Sequence, residues 1–117
     1  MTTIKEIKQK IKQDTENWLI PFMDFVDEFR RHKDPSLVRE PFENGDERFD
    51  AILASMVECL CDELELEIPD WVWNVPSCGE PWFVSEMENL KAISIVESPV
   101  WFRRRKIFVL ENFLDRV

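Results

Sequence analysis

The sequence predicts an all-α fold: one single-domain helical bundle of four to six helices over 1–117, with an irregular Trp- and Pro-rich segment. Three observations lead there. Only two Gly occur in 117 residues, too few for the positive-φ turns of a hairpin-rich all-β fold. Apolar residues recur three and four apart over long stretches, most clearly from Phe49 to Leu64, which is the period of one helix face. The chain is also 44% hydrophobic with five Trp and nine Phe, enough to bury one core in a length too short for two ordinary domains.

The first helix is expected from about Ile4. Thr3 and Glu6 in "TIKE" form a capping box, and Ile4, Ile7 and Ile11 follow on one face. The spacing continues through Trp18, Phe22, Phe25, Val26 and Phe29. Pro21 lacks a backbone donor and crowds the carbonyl of Asn17, so a kink or break is expected near 17–21. The second stretch ends near Arg31, where Arg30, Arg31, His32 and Lys33 suit the negative pole of a helix. His32 is therefore read as a helix-end residue rather than a ligand or a base.

Pro35, Pro41 and the pair Asn44-Gly45 mark a connector, with one short turn over 36–39. Asp46 then caps a helix of about twenty residues. Its stripe is Phe49, Ile52, Leu53, Met56, Val57, Leu60 and Leu64; its other side collects Glu58, Asp62, Glu63, Glu65 and Glu67 as a solvated acidic face. Pro69 is expected to end it. In "IPDWVWNVPSCGEPWF" the three Trp and three Pro exclude a regular helix. Trp71, Trp73 and Trp82 either wrap the core as a belt or form a recognition surface, since large rigid aromatics do both.

"VSEMENLKAISIVES" reads as another helix, capped by Ser85, with Met87, Leu90, Ala92, Ile93 and Val96 on its buried side. Ser98 followed by Pro99 starts a short helix over 99–106, with the Ser side chain as cap. An extended piece at 107–109 and a final turn from about Glu111 complete the chain.

Charge is segregated along the sequence. Lys and Arg number seven against six Asp and Glu in 1–33, three against sixteen in 34–97, and five against two in 98–117. An acidic block between basic ends suits folding back on itself or meeting a basic partner, and disfavours nucleic acid over the main surface. The N-terminus carries charges where a signal peptide needs an apolar core, and no apolar run nears the length of a membrane span. A cytoplasmic location without membrane contact is expected.

Several chemistries find no support. Phosphate-cradling and dinucleotide-binding glycine motifs are absent, and the single His has no partner motif for nucleophilic catalysis. Cys59, Cys61 and Cys78 lack metal-ligand spacing, and on a helix the first two point about 200° apart. In "GDERFD" Asp46 serves as a cap, while Glu47 and Asp50 suit a helix first turn. No catalytic residue, metal or cofactor is expected.

Arg103, Arg104, Arg105 and Lys106, beside Trp101, are the remaining candidates. On a helix these four cations fan through about 300°, unlike the continuous stripe of a DNA-reading helix. At least one guanidinium is expected to turn back onto the acidic block as a forked pair with a carboxylate. The others are left to contact a phosphate or an acidic partner.

The order "DPSLVREPF…GDERFDAILASMVECL", "PDWVW", "PWFVS" and "ESPVWFRRRKIFV" resembles a family of small, mostly uncharacterised bacterial proteins. Members look like the C-terminal portion of helix-turn-helix regulators found beside nucleotidyltransferase-type toxins. The resemblance covers about 34–117 and rests on Asp46, Arg48, Pro69, Trp71, 81–85 and 97–109. No helix-turn-helix module fits before residue 34; Glu86 stands where the family pattern has Gly, and Lys106 where a small or amide residue is usual. The resemblance implies a non-enzymatic accessory or antitoxin-like interaction module whose partner is a nucleotidyltransferase-like gene neighbour. Partner contact is expected through the acidic helix face or the aromatic belt, and a homodimer is open. The alternative is a nucleic-acid or nucleotide binder using Arg103, Arg104, Arg105 and Lys106 with Trp101.

Overall fold

Thr3 starts helix α1 (Ile4–Gln13) by accepting the Glu6 N–H at 3.3 Å, while Ile4, Ile7 and Ile11 turn into the core. The computed structural model describes residues 2–85 and 87–115. Met1, Glu86, Arg116 and Val117 lie outside the described residues, and with them the departure at Glu86 and the last two positions of the family resemblance.

The expected break falls earlier than Pro21. α1 ends at Gln13, the Asp14 carboxylate accepts from Asn17 N–H and Nδ2, and α2 runs Leu19–His32. Pro21 occupies the third position of α2, where a backbone N–H has no acceptor within the helix, so the ring costs no hydrogen bond. Phe22, Phe25, Val26 and Phe29 carry α2 into the core, and Lys33 ends it in the left-handed region at φ 54°. A 3₁₀ turn, Pro35–Val38, follows.

Asp46 caps α3 (Glu47–Glu63) by accepting from the N–H groups of Arg48 and Phe49 at 2.9 and 3.2 Å. Every residue from Asp50 to Glu58 is buried, so α3 is an axle covered all round rather than a one-faced helix. α1 and α2 contact it, as do the Asp70–Asn74 3₁₀ turn and the C-terminal segment. The predicted solvated acidic face is therefore corrected at Glu58, which is 3% exposed.

The end of α3 also differs from expectation. Leu66 N–H reaches the Cys61 carbonyl at 2.8 Å and Glu65 N–H reaches that of Asp62 at 3.3 Å, with Glu65 at φ 58°. This Schellman closure stops the helix at Glu63, six residues ahead of Pro69, which instead precedes the 3₁₀ turn. A glutamate in the left-handed position, at the negative pole of a helix, is doubly unfavourable. Glu65→Gly is expected to raise stability by about 1 kcal/mol, read as a higher denaturation midpoint at unchanged m; an unchanged or lower midpoint would refute it.

The Trp-rich strip packs in two of three places. Trp71 meets Phe42 edge-on at 5.2 Å and donates from Nε1 to the Val38 carbonyl at 2.9 Å. Trp82 lies on β1 (Trp82–Phe83) and packs against Trp18 and Phe49. Trp73 is 55% exposed and so is not part of a belt.

β1 pairs in parallel with β2 (Ile107–Phe108), Trp82 opposite Ile107 and Phe83 opposite Phe108. This two-residue ladder is the only sheet among the described residues, and the fold is otherwise helical. Val84 N–H also reaches the Phe108 carbonyl at 3.2 Å, and the chain bends at Val84 and Ser85 rather than starting a helix there. α4 accordingly begins at Glu88 (Glu88–Glu97) with Met87 before it, and Ser85 is not its cap. Ser98 is not a cap either: its buried hydroxyl donates to the Ile107 carbonyl at 3.0 Å and accepts the Val109 N–H at 3.4 Å. That fastens the end of α4 to β2. α5 is one turn, Val100–Arg103, shorter than expected, and Lys106 takes φ 61° as the chain enters β2. Gly and Asn adopt that left-handed conformation more readily than lysine.

Among the described residues no helix is long and apolar enough to cross a membrane.

Candidate functional site

α5 and the turn after it hold the three arginines, and the turn sends them to different places. Arg105 goes inward. Its Nη1 donates to Glu58 Oε1 at 2.9 Å, and more loosely to Ser55 Oγ and the Trp101 carbonyl; its Nη2 donates to the Val72 carbonyl at 3.1 Å. Arg104 bonds the other Glu58 oxygen, so one buried carboxylate is shared by two guanidiniums. Ala51, Ala54 and Ser55 share that side of α3, and their small side chains leave room for the arginine head.

Arg105 is therefore buried and withdrawn from any partner, contrary to its expected role in contact. Trp101 is half-buried against the core. Arg103 and Lys106 are exposed, and Arg104 keeps half of its side chain in solvent while lying 6.0 Å from the Trp73 ring. Of the sequence-predicted residues, Arg104 and Trp73 come together at the surface. Trp71 is committed to Phe42 and Val38, and Trp82 carries Arg48 over its ring at 5.6 Å.

α4 presents a surface that the sequence reading placed inside. Ser94 is its buried residue, with Oγ donating to the Lys91 carbonyl at 2.8 Å, whereas Ile93 is 46% and Val96 78% exposed. Met87, Ile95 and Val100 are exposed beside them. The reason is geometric: β1 and the 98–109 segment already cover the core, and what α4 turns toward them is the small Ser94. A signal did exist in "AISIV": Ile93 and Ile95 point about 200° apart, so one core could not have taken both.

Between α4 and the C-terminal turn runs a groove of about 560 Å³, with Leu90, Ile93 and Leu110 apolar and Glu97, Glu111 and Asp115 acidic. Glu111 N–H donates to Glu97 Oε1 at 3.2 Å and fixes one wall to the other. Arg30 anchors the turn from below. It donates to both Glu63 oxygens at 2.8 and 2.9 Å and to the Leu114 carbonyl at 2.6 Å, and the Glu63 hydrogen bonds raise its pKa further.

Other reactive groups are occupied or muted. Asp50 of "GDERFD" is buried against Lys8 and also accepts the Gly45 N–H at 2.9 Å. Burial pushes the Cys59 thiol up to about 12, with Glu63 adding to the effect, and Cys61 up to about 11; burial raises Cys78 as well. Thiols held protonated in this way are poor nucleophiles at neutral pH. No group of three or more His, Cys, Asp or Glu among the described residues could hold a metal ion. Comparison with known proteins finds no matching family model, no matching curated protein and no matching solved structure.

Proposed function

We propose that the chain is a non-enzymatic interaction module, an accessory or antitoxin-like protein that binds a partner protein through the apolar face of α4. The observation that carries this is the exposure of Ile93 and Val96, about 60° apart on one side of a ten-residue helix whose buried residue is a serine. Contiguous exposed aliphatics of this kind mark contact surfaces, because leaving them wet forgoes the burial that drives folding and association alike. The acidic face of α3 is reduced as a contact, since Glu58 is buried and Glu63 is held by Arg30, while Asp62, Glu65 and Glu67 stay exposed. The sequence resemblance supports a nucleotidyltransferase-like gene neighbour as the partner, and the three free cysteines suit a cytoplasmic setting.

Co-expression with the neighbouring gene product is the test. A complex is expected, and Val96→Asp, on an exposed position, is expected to weaken it at least about tenfold while leaving the melting temperature within a few degrees. No complex, or one indifferent to Val96→Asp, would overturn the proposal.

A second reading, binding of a nucleotide or nucleic acid, is favoured by one observation: the solvent-facing pair of Trp73 and Arg104, flanked by Arg103 and Lys106. Stacking and a guanidinium suit a base and its phosphate. The net charge of −9 works against it. Quenching of Trp73 fluorescence by an RNA oligonucleotide, lost in Arg104→Glu, would select this reading instead.

A further inference from the structure

We infer that the groove beside α4 receives a basic amphipathic helix of the partner, with its apolar residues on Leu90, Ile93 and Leu110 and its Lys or Arg side chains over Glu97, Glu111 and Asp115. The inference rests on the proposal that α4 is the contact surface, and adds the chemistry of what contacts it.

Charge complementarity carries the step. Among the described residues the groove lining includes three carboxylates and no Lys or Arg. Asp115 has one distant cation, Arg30 at 3.9 Å, and that guanidinium is taken up by Glu63 and the Leu114 carbonyl. Glu111 is exposed, and its backbone rather than its carboxylate is bonded to Glu97. Two walls that each carry aliphatics with carboxylates beside them are the complement of a helix that carries aliphatics on one side and cations beside them. An acidic helix would bring like charges onto a rim whose nearest cation among the described residues, Arg30, is already held by Glu63. A second copy of this chain would bring the same acidic rim against itself, which disfavours self-pairing.

The experiment titrates the full chain, observed by its methyl resonances, with three model peptides of about 14 residues, long enough for roughly four turns. One is a Leu/Lys amphipathic helix, one its Leu/Glu counterpart, and one a Leu/Lys scramble with no apolar face. The expected result is binding of the first peptide at least about tenfold tighter than the others, with shifts centred on Leu90, Ile93 and Leu110. Glu111→Lys is expected to remove most of that preference, while Glu67→Lys, which makes the same change in net charge on the α3-to-Pro69 connector, leaves it. Equal binding of the Leu/Lys and Leu/Glu helices, abolished by Val96→Asp, would overturn the basic partner and leave α4 as the contact surface. Failure of every peptide to shift the α4 methyls, in a protein whose co-expression complex is also indifferent to Val96→Asp, would overturn both. A wild-type dimer in sedimentation, split by Ile93→Asp, would assign the face to a second copy and overturn the inference.

Discussion

Glu58→Ala is expected to destabilise the protein by about 3–5 kcal/mol, the cost of leaving a buried cation without its counter-charge. Glu58 and Arg105 are both almost wholly buried, and each of the two Glu58 oxygens is claimed by a different guanidinium. The alanine variant leaves Arg105 among Ser55, the Trp101 and Val72 carbonyls and its own unpartnered Nε, with no carboxylate in reach. Arg104→Ala, by contrast, removes a half-exposed partner, and about 1 kcal/mol is expected. A double-mutant cycle of Glu58→Ala with Arg105→Met separates the pair from the burial, because methionine restores apolar volume without charge. The double variant should be more stable than Glu58→Ala alone. A loss below about 1 kcal/mol in the single variant would show that Arg105 reaches water in solution.

A second large effect is expected nearer the start of the axle. Lys8 of α1 is buried with Asp50 at the start of α3; its Nζ also donates to the Glu43 carbonyl at 3.0 Å and lies 5.0 Å from the Phe42 ring. Asp50→Ala strands that ammonium and the Gly45 N–H together, so a loss of about 3–5 kcal/mol follows. Lys8→Met combined with Asp50→Asn should recover at least half of it, since the asparagine oxygen still accepts from Gly45 and no charge remains. Urea melts at constant m measure both. If Asp50→Ala and the double variant melt together, the pair contributes nothing beyond packing.

The two pairs also mark what the sequence allowed to be read and what it did not. The Asp46 cap, the core stripe of α3 and the extended residues at Ile107–Phe108 were legible because each is a local preference that tertiary contacts reinforce. So was the return of an arginine onto an acidic residue. Which carboxylate takes it was not read, because Glu58 lies opposite the obvious apolar stripe, and only the small residues Ala51, Ala54 and Ser55 hinted that another element comes close there. Lys8 was invisible for a similar reason: on a helix of alternating Lys and Ile, nothing local distinguishes the lysine that a distant aspartate will bury. At Pro21, Ser85 and Ser98 the residue type gave a local rule that the real neighbours altered, through the helix start at Leu19 and the pairing of β1 with β2. α4 failed most plainly, because its periodicity marks an apolar face without saying whether the core or a partner covers it.

The all-round burial of α3 has a consequence for biosynthesis. α1 and α2 precede α3 in the chain and are available to pack as soon as it is made, but the face holding Glu58 is closed by later residues, Val72, Arg104 and Arg105 among them. A nascent chain that has reached Ser98 thus carries along its central helix an open slot of small residues with the single carboxylate of Glu58. Folding becomes all-or-none only when Arg105 is released, and until then the slot is the place where a chaperone or a misplaced cation would be felt first.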